Sequence, residues 1–248
     1  MNVKTGEMPH LKDIDVVIHL AGESIAAPLR WTQSKKNKIY DSRIEGTKLL
    51  ALAIKKHPPK CIICASAIGA YPQSEINKSF NEESPFDSHF LAEVVKDWES
   101  SLEDSPSRVV FARLGLVLSP EGGLLKQLLR PFKLGLGAVL GNKNAWWSWI
   151  GIDDAVYAIY HLINSTVSGP VNICAPNPVT QKEFTACLAK QLKRPCLFRA
   201  PGFIIRFVMG EMGKLLVLSN QKVSSKKLEA SGFKFSYPSL KSYFDFSL

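Results

Sequence analysis

The segment IDVVIHLAG, residues 14–22, is an apolar run of strand length that ends in two small residues. An amphipathic stretch at residues 32–56 follows it, and Pro58 and Pro59 stop the helix that this periodicity predicts. Such an alternation of strands and helices is typical of a parallel sheet covered by helices. The pattern continues, with strands predicted at residues 60–65, 108–114 and 171–174 and helices at 90–102, 124–132, 155–163 and 180–192.

The C-terminal residues follow a different pattern. An apolar helix begins at Pro201-Gly202, a short helix follows at residues 226–230, and the tail is rich in Phe and Tyr. We interpret this part as a small cap packed beside the sheet.

The composition is that of an ordinary globular protein, with 248 residues, 46% apolar and 21% charged. It excludes collagen-like, coiled-coil and wholly disordered chains. The apolar stretch at residues 203–218 contains three ionisable groups, so neither a transmembrane helix nor a membrane partner is expected. No secretory signal is readable, which predicts a cytoplasmic location with the five cysteines as reduced, buried thiols.

The net charge of +9 fits either a polyanionic partner or a solvated basic surface. No basic and aromatic motif of a known nucleic-acid-binding type accompanies it. We therefore expect a small-molecule substrate and no nucleic-acid partner.

Chemistry is expected where the predicted strands end, because open α/β sheets bind ligands beyond the carboxyl ends of their strands. Three of these ends read HLAGES, CASAIGAY and ARLGLVL. Ser66 and Tyr71 in the second are catalytic candidates, since a hydroxyl and a phenol beside a nicotinamide can polarise a carbonyl and relay a proton. The alternative is that both are ordinary turn and packing residues.

Longer motifs carry a resemblance to a known family. They are DVVIHLAGESI, DSRIEGTKLL, ASAIGAY, SWIGIDD, GPVNICAPNPVT and, most specific, ARLGLVLSPEGGLLKQLLRPFKLGLGAVLG and GEMGKLLVLSNQKVSSKKLEASGFKFSYPSL. Together they resemble the atypical short-chain dehydrogenase/reductases, an epimerase family of the NAD-dependent epimerase/dehydratase superfamily with a C-terminal domain of unknown function. The resemblance covers essentially the whole chain.

The resemblance implies an α/β fold, a Rossmann-like doubly wound parallel sheet lacking its first βαβ unit, with a small C-terminal α+β cap. It divides the chain into a partial NAD(P)-binding domain, residues 1–175, and a C-terminal substrate or cap region, residues 176–248. The implied function is an NADP(H)-dependent oxidoreductase or epimerase-like protein of unknown substrate, with NAD(H) as the second cofactor candidate. The alternative is a catalytically inactive nucleotide-binding or interaction protein.

The implied cofactor-binding residues are Leu20, Ala21, Gly22, Glu23, Lys38, Arg43, Ser66, Arg113 and Val117. A guanidinium such as that of Arg43 suits phosphate oxygens. Arg43 can equally be an exposed helix charge, Lys38 is one of several lysines on a basic helix, and Glu23 can equally lie at the surface. No metal site is predicted.

One departure from the family pattern concerns the cofactor. No strand, G-x-x-G-x-x-G loop and helix precede residues 14–20, so the amides that cradle a pyrophosphate are missing and weak cofactor binding is expected. The strand at residues 14–20 is then predicted to leave an apolar sheet edge, which favours pairing with another chain, for example in a homodimer.

Other departures concern catalysis. Phe90 and Val94 stand where the superfamily has a Tyr-x-x-x-Lys pair, Lys96 lies on another face of that helix, and Gly151 stands where the resemblance places a histidine. Three tryptophans are candidates for a substrate pocket, with packing as the alternative: Trp146, Trp147 and Trp149. The acidic pair at residues 153–154 is predicted to cap the helix at 155–163.

Overall fold

The computed structural model describes residues 5–73 and 78–248. Within them the strands are β1 Val16–His19, β2 Cys61–Ala67, β3 Arg108–Leu114, β4 Leu116–Leu118, β5 Ala138–Leu140, β6 Trp146–Trp147, β7 Trp149–Gly151, β8 Gly169–Ile173, β9 Val179–Thr180 and β10 Phe198–Ala200. The helices are α1 Gln33–Lys56, α2 Phe90–Ser100, α3 Gly123–Lys133, α4 Ile152–Ile163, α5 Gln181–Gln191, α6 Gly202–Met212, α7 Lys226–Ala230 and α8 Leu240–Ser247.

Four strands form the main sheet, in the order β1-β2-β3-β8, and all neighbours are parallel. The first six residues of β2 are buried, as expected for a parallel strand covered on both faces. Since the strands run the same way, their carboxyl ends lie at one edge of the sheet. The α/β fold with a parallel sheet, predicted from the alternation of strands and helices, is confirmed.

Helices cover both faces of this sheet. Neighbouring residues of a strand point to opposite faces, and β2 shows this directly. Ile62 packs against Ile54 of α1 and Trp98 of α2, whereas Ile63 packs in the cluster that contains Leu162 of α4. The sheet is therefore wound on both sides.

β1 is the edge strand of the part of the sheet that the structure describes. It pairs with β2, from Val16 opposite Cys61 to His19 opposite Cys64. Ile18 keeps 48% of its surface exposed, whereas His19 is buried. Ile18 thus leaves apolar surface at this edge of the described sheet, and pairing of the edge with another chain stays a prediction.

The C-terminal residues build a further core and return to the main sheet. Trp149, Phe184 and Tyr243 pack together in this core, which joins β7, α5 and α8. β10 pairs in parallel with β5, and Val223 forms a bridge with Phe80. The C-terminal cap thus mixes helices with strand pairing, as predicted for an α+β cap.

The acidic pair Asp153 and Asp154 lies in the first turn of α4 and does not cap the helix. α4 begins at Ile152 with Gly151 at the N-cap position, and both carboxylate oxygens of buried Asp154 accept main-chain N–H groups of Ser236 and Tyr237 over 2.9 Å. The predicted capping role is therefore wrong, because a buried carboxylate needs donors and the distant C-terminal tail supplies them.

Candidate functional site

A cleft of about 390 Å³ opens where the parallel strands of the main sheet end. Its walls come from the loop after β1, the buried faces of α1 and α2, the ends of β2 and β3, and two later segments, residues 146–148 and 215–221. Open α/β sheets bind ligands at this position. We refer to this cavity as the cleft and take it as the candidate site.

The loop after β1 is held against α1. The N–H of Glu23 donates to Ser42 Oγ over 2.9 Å, and Arg43 Nη1 donates to the Glu23 carbonyl oxygen over 3.0 Å. The guanidinium lies so close to Gly22 that a Cβ atom there would stand 3.0 Å from Arg43 Cζ. The absence of a side chain at Gly22 therefore allows the guanidinium to approach the main chain.

Arg43 lines the cleft, with its guanidinium 5.1 Å from the centre of the Trp98 ring. Burial lowers the pKa of Arg43, and the Glu23 carboxylate opposes this effect. Within the described residues its hydrogen bonds all come from Nη1. The interpretation of Arg43 as an exposed helix charge is wrong, whereas Lys38 is exposed and lies outside the cleft wall.

A lysine that the sequence did not single out holds Glu23. Lys35 Nζ lies 2.5 Å from Glu23 Oε1, and Lys35 is only 7% exposed. The hydrogen bond from Lys35 lowers the pKa of the Glu23 carboxyl. Glu23 is therefore an anchor of the loop after β1 and does not itself line the cleft.

Ser66, at the end of β2, lines the cleft and is 4% exposed. Its Oγ donates to Glu99 Oε1 over 2.6 Å. Arg113 binds the same carboxylate with two nitrogens, Nε at 2.8 Å from Oε1 and Nη2 at 2.7 Å from Oε2. The arrangement follows from the sheet register, which places Ser66 opposite Arg113.

Further hydrogen bonds lead from Arg113 away from the cleft. Arg113 Nη1 donates to the Tyr71 hydroxyl over 2.9 Å, and this hydroxyl donates to Asn172 Oδ1 over 2.7 Å. Burial raises the pKa of Tyr71 to about 12, although the Arg113 cation acts in the opposite direction, so the phenol is neutral at physiological pH. We call Ser66, Tyr71, Glu99, Arg113 and Asn172 the buried polar network.

Ser66 is the one member of the buried polar network that lines the cleft. Tyr71 has no exposed surface and stacks on Phe80 with ring centres 5.6 Å apart, and Arg113 is 3% exposed. The structure thus brings three predicted site residues together but offers only Ser66 to a ligand. The catalytic and cofactor-binding roles given to them stay predictions.

The remaining predicted cofactor residues lie at or near the cleft. Leu20 lines it and is 56% exposed, whereas Ala21 is exposed and lies outside the wall. Val117 on β4 packs against the core of the sheet, and Gly115 and Leu116 form the wall there. Val117, predicted to lie near the nicotinamide end of the cofactor, is therefore adjacent in sequence to the wall residue Leu116.

The positions of the missing Tyr-x-x-x-Lys pair are apolar. Val94 is 2% exposed and lines the cleft. Phe90 lies outside the wall, with its ring 5.6 Å from that of Trp31, and Lys96 is exposed. The cleft therefore meets an apolar face of α2.

Gly151 stands where the resemblance places a histidine, and it is packed against an aromatic ring. A Cβ atom at Gly151 would lie 2.5 Å from the ring of Tyr243, whose hydroxyl donates to the Leu118 carbonyl oxygen. A histidine at this position would therefore require the Tyr243 ring to move.

Two of the three predicted pocket tryptophans line the cleft. They are Trp146 and Trp147, whereas Trp149 is fully buried and its Nε1 donates to the Asn177 carbonyl oxygen over 3.1 Å. The sequence analysis missed a further wall segment from the C-terminal cap, which contributes Leu215, Leu216, Ser219 and Gln221. No local sequence signal reveals this segment, because its partners in the wall are distant in sequence.

Neither a metal-binding cluster nor a membrane-spanning helix occurs in residues 5–73 and 78–248. This part of the chain has no cluster of His, Cys, Asp or Glu able to hold a metal ion. None of its helices is long and apolar enough to span a bilayer. The five cysteines are free thiols, three of them buried, and burial raises the pKa of Cys64 and Cys174.

The sequence matches two families. Residues 5–174 match the NAD dependent epimerase/dehydratase family, and residues 200–245 match a domain of unknown function. An epimerase family protein of Staphylococcus epidermidis is 38% identical over 251 residues, covering 98% of this chain and 82% of that protein. One from Mycobacterium bovis is 37% identical over 240 residues, covering 94% and 79%.

Solved structures agree with the sequence matches. A human epimerase family protein with NADPH has a TM-score of 0.93 and 30% identity, covering 100% of this chain and 86% of that chain. A nucleoside-diphosphate sugar epimerase from Corynebacterium glutamicum has a TM-score of 0.76 and 32% identity, covering 96% and 46%. From the family match and these identities, this chain belongs to the NAD dependent epimerase/dehydratase family.

Proposed function

We propose that the protein is an NADP(H)-dependent oxidoreductase or isomerase of the epimerase type, with the cofactor entering the cleft from the loop after β1. The observation that carries this proposal is the guanidinium of Arg43, set against Gly22 at the ends of parallel strands. The human relative solved with NADPH supports it. We propose further that the substrate is a small molecule and that the protein is cytoplasmic. The proposal also keeps the boundary between an NAD(P)-binding domain, residues 1–175, and a C-terminal substrate or cap region, residues 176–248.

The residues present fit the nicotinamide cofactor. The Arg43 guanidinium is a cation with Nε and Nη2 not hydrogen-bonded to any described residue, and a guanidinium binds phosphate or ribose oxygens well. Gly22 leaves space beside it that a side chain would fill. Bound NADP(H) supplies hydride transfer, while the protein supplies binding, orientation and electrostatics.

Ser66 is the hydroxyl that we propose to contact the cofactor or substrate. Its proton is held by Glu99, so Ser66 Oγ accepts a hydrogen bond from the ligand and orients it. Tyr71 and Arg113 fix Glu99 and Ser66 from the protein side. In this proposal they are positioning residues.

Titration with NADPH, followed by cofactor fluorescence, tests the proposal. We expect residues 1–248 by themselves to bind NADPH saturably but weakly, because these residues contain no G-x-x-G-x-x-G loop. Arg43→Ala removes a charged hydrogen-bond donor, so the affinity for NADPH should fall roughly tenfold to a hundredfold. Arg43→Lys, which keeps the charge, should lose less.

Lys48→Ala is the matched control, since Lys48 is an exposed cation on the same helix and lies outside the cleft wall. Its affinity for NADPH should equal that of the wild type. Absence of saturable binding up to millimolar NADPH, or equal losses in the Arg43 and Lys48 variants, would overturn the proposal. NADH titrated in parallel measures the preference between the two cofactors.

A further inference from the structure

The part of the cleft wall that comes from later in the chain is apolar. Trp146, Leu215 and Leu216 line it, together with the apolar face of α2. Arg43 is the one ionisable side chain among the described residues that line the cleft, and it lies beside Gly22 on the side of the loop after β1. None of the described residues that line this later wall is therefore ionisable.

The serine hydroxyls and the Gln221 amide of this wall each give a hydrogen to the protein, whereas Trp147 Nε1 is buried without a hydrogen-bond partner among the described residues. Ser148 Oγ, Ser219 Oγ and Gln221 Nε2 donate to main-chain oxygens over 2.9, 3.1 and 2.6 Å. Ser66, across the strand ends, donates to Glu99. The three hydroxyls therefore offer lone pairs, and a ligand group that bonds to them must be a hydrogen-bond donor.

Hydrogen bonds hold this wall in a preformed shape. The N–H of Trp146 donates to Asn220 Oδ1 over 2.7 Å, and the N–H of Val223 donates to Ser148 Oγ over 2.9 Å. Lys222 Nζ lies 4.3 Å from the centre of the Trp146 ring. A preformed, mostly apolar cleft with a few fixed polar groups is the usual form of a small-molecule site.

We propose that this half of the cleft takes a neutral molecule with an apolar body and one hydrogen-bond donor, not a nucleoside diphosphate sugar. The inference rests on the proposed function, which assigns Arg43 and the loop after β1 to the cofactor. A diphosphate against the later wall would lose hydration without contacting a cationic lining residue, since the nearby Lys222 lies over the Trp146 ring and outside the wall, and such a loss is unfavourable. The C-terminal segment thus acts as the wall that selects the substrate.

Isothermal titration calorimetry with two probes tests this inference on the full chain, with and without saturating NADPH. The probes are 2-naphthol, which is neutral with one O–H donor, and UDP-glucose. We expect 2-naphthol to bind at least about tenfold more tightly than UDP-glucose. Leu216→Gln should weaken 2-naphthol about tenfold by removing apolar contact, and Trp146→Gln should do the same if the Leu216 variant does not fold.

Leu197→Gln is the matched control, because Leu197 is 82% exposed and lies outside the cleft wall. Its affinity for 2-naphthol should equal that of the wild type. Binding of UDP-glucose as tight as that of 2-naphthol, or equal losses in the Leu216 and Leu197 variants, would overturn the inference. If the wild-type chain binds no NADPH but still prefers 2-naphthol to UDP-glucose, the proposed function is overturned. The inference then stands, because this preference is also measured without the cofactor.

Discussion

Ser66 separates two regions of opposite character. On one side, the buried polar network joins β2, α2, β3 and β8 through an ion pair and a chain of hydrogen bonds. On the other side, the cleft is lined almost entirely by apolar side chains, with Arg43 as the one ionisable group among its described lining residues. The two regions meet at a single hydroxyl.

The difference shows how the protein uses its ionisable groups near the strand ends. Glu99, Arg113 and Tyr71 are buried, and each is satisfied by another member of the network, as buried polar groups must be. They therefore hold α2 against the sheet and link β3 to β8, and they leave few hydrogen-bonding groups free for a ligand. Charge in the cleft would come mainly from Arg43 and from a bound cofactor.

The largest expected effect is the loss of the carboxylate at the centre of the network. Glu99→Ala leaves Arg113 buried without its partner, so the free energy of unfolding should fall by about 3–5 kcal/mol. Urea denaturation followed by circular dichroism measures this change. An unchanged free energy of unfolding in Glu99→Ala would show that the buried polar network does not stabilise the fold.

Glu45→Ala is the control for the network carboxylate. Glu45 also pairs with a cation, Lys48 at 3.0 Å, but both side chains are more than half exposed. Removing such a surface pair should change the free energy of unfolding by less than about 1 kcal/mol. Similar effects of the Glu99 and Glu45 variants would show that the network does not hold the fold.

The next effect is the loss of the Tyr71 hydroxyl. Tyr71→Phe removes the acceptor of Arg113 and leaves Asn172 Oδ1 without its donor, which should lower the free energy of unfolding by about 1–3 kcal/mol at pH 7. NADPH affinity should stay within about twofold of the wild type, because Tyr71 lies outside the cleft wall. A large loss of affinity with unchanged stability would instead place this phenol in the site.

The Tyr71 prediction has a pH signature. The folded pKa of Tyr71, about 12, is above the ordinary tyrosine value of 10.0, so the stabilisation is complete below pH 10 and is lost as the pH rises from 10 to 12. The difference in unfolding free energy between wild type and Tyr71→Phe should therefore shrink over this range. Tyr160→Phe, at a position 67% exposed, should show no such change.

The sheet could be predicted because the apolar local sequence of its central strands indicates that they are buried. β2 must be apolar on both faces, and Pro58 and Pro59 mark the end of α1. Arg43 was found through the family resemblance. For Lys35 the local sequence does carry a signal, since this residue lies four residues before buried Ile39 and so on the same face of α1.

The rest of the site depends on contacts between distant residues. Glu99 lies four residues after Val95, on the buried face of α2, but nothing nearby in the sequence shows that Arg113 is its partner. The same holds for Asp154, whose donors are at residues 236–237. Leu216 and Gln221 reach the cleft through the return of the C-terminal segment, which local periodicity does not predict.

The smallest expected effect concerns His19, which extends the comparison to β1. His19 directly precedes Leu20 of the cleft wall, yet its ring is buried and Nε2 lies 3.0 Å from Thr47 Oγ1. Burial lowers the pKa of His19 below the ordinary histidine value of 6.5. The stability that this neutral ring contributes is therefore complete above pH 6.5 and is lost as the pH falls below it.

Wild type should lose no more than about 1 kcal/mol through His19 between pH 7 and pH 5.5, a loss that His19→Gln should remove. The glutamine can still hydrogen-bond to Thr47 but carries no titrating group. Urea denaturation at the two pH values measures the difference, and His10→Gln, at an exposed position, should retain the wild-type pH dependence. If His19→Gln also retains the wild-type pH dependence, protonation of the His19 ring does not destabilise the folded state. Water would then reach this ring beside the cleft, in contrast to a buried, neutral imidazole.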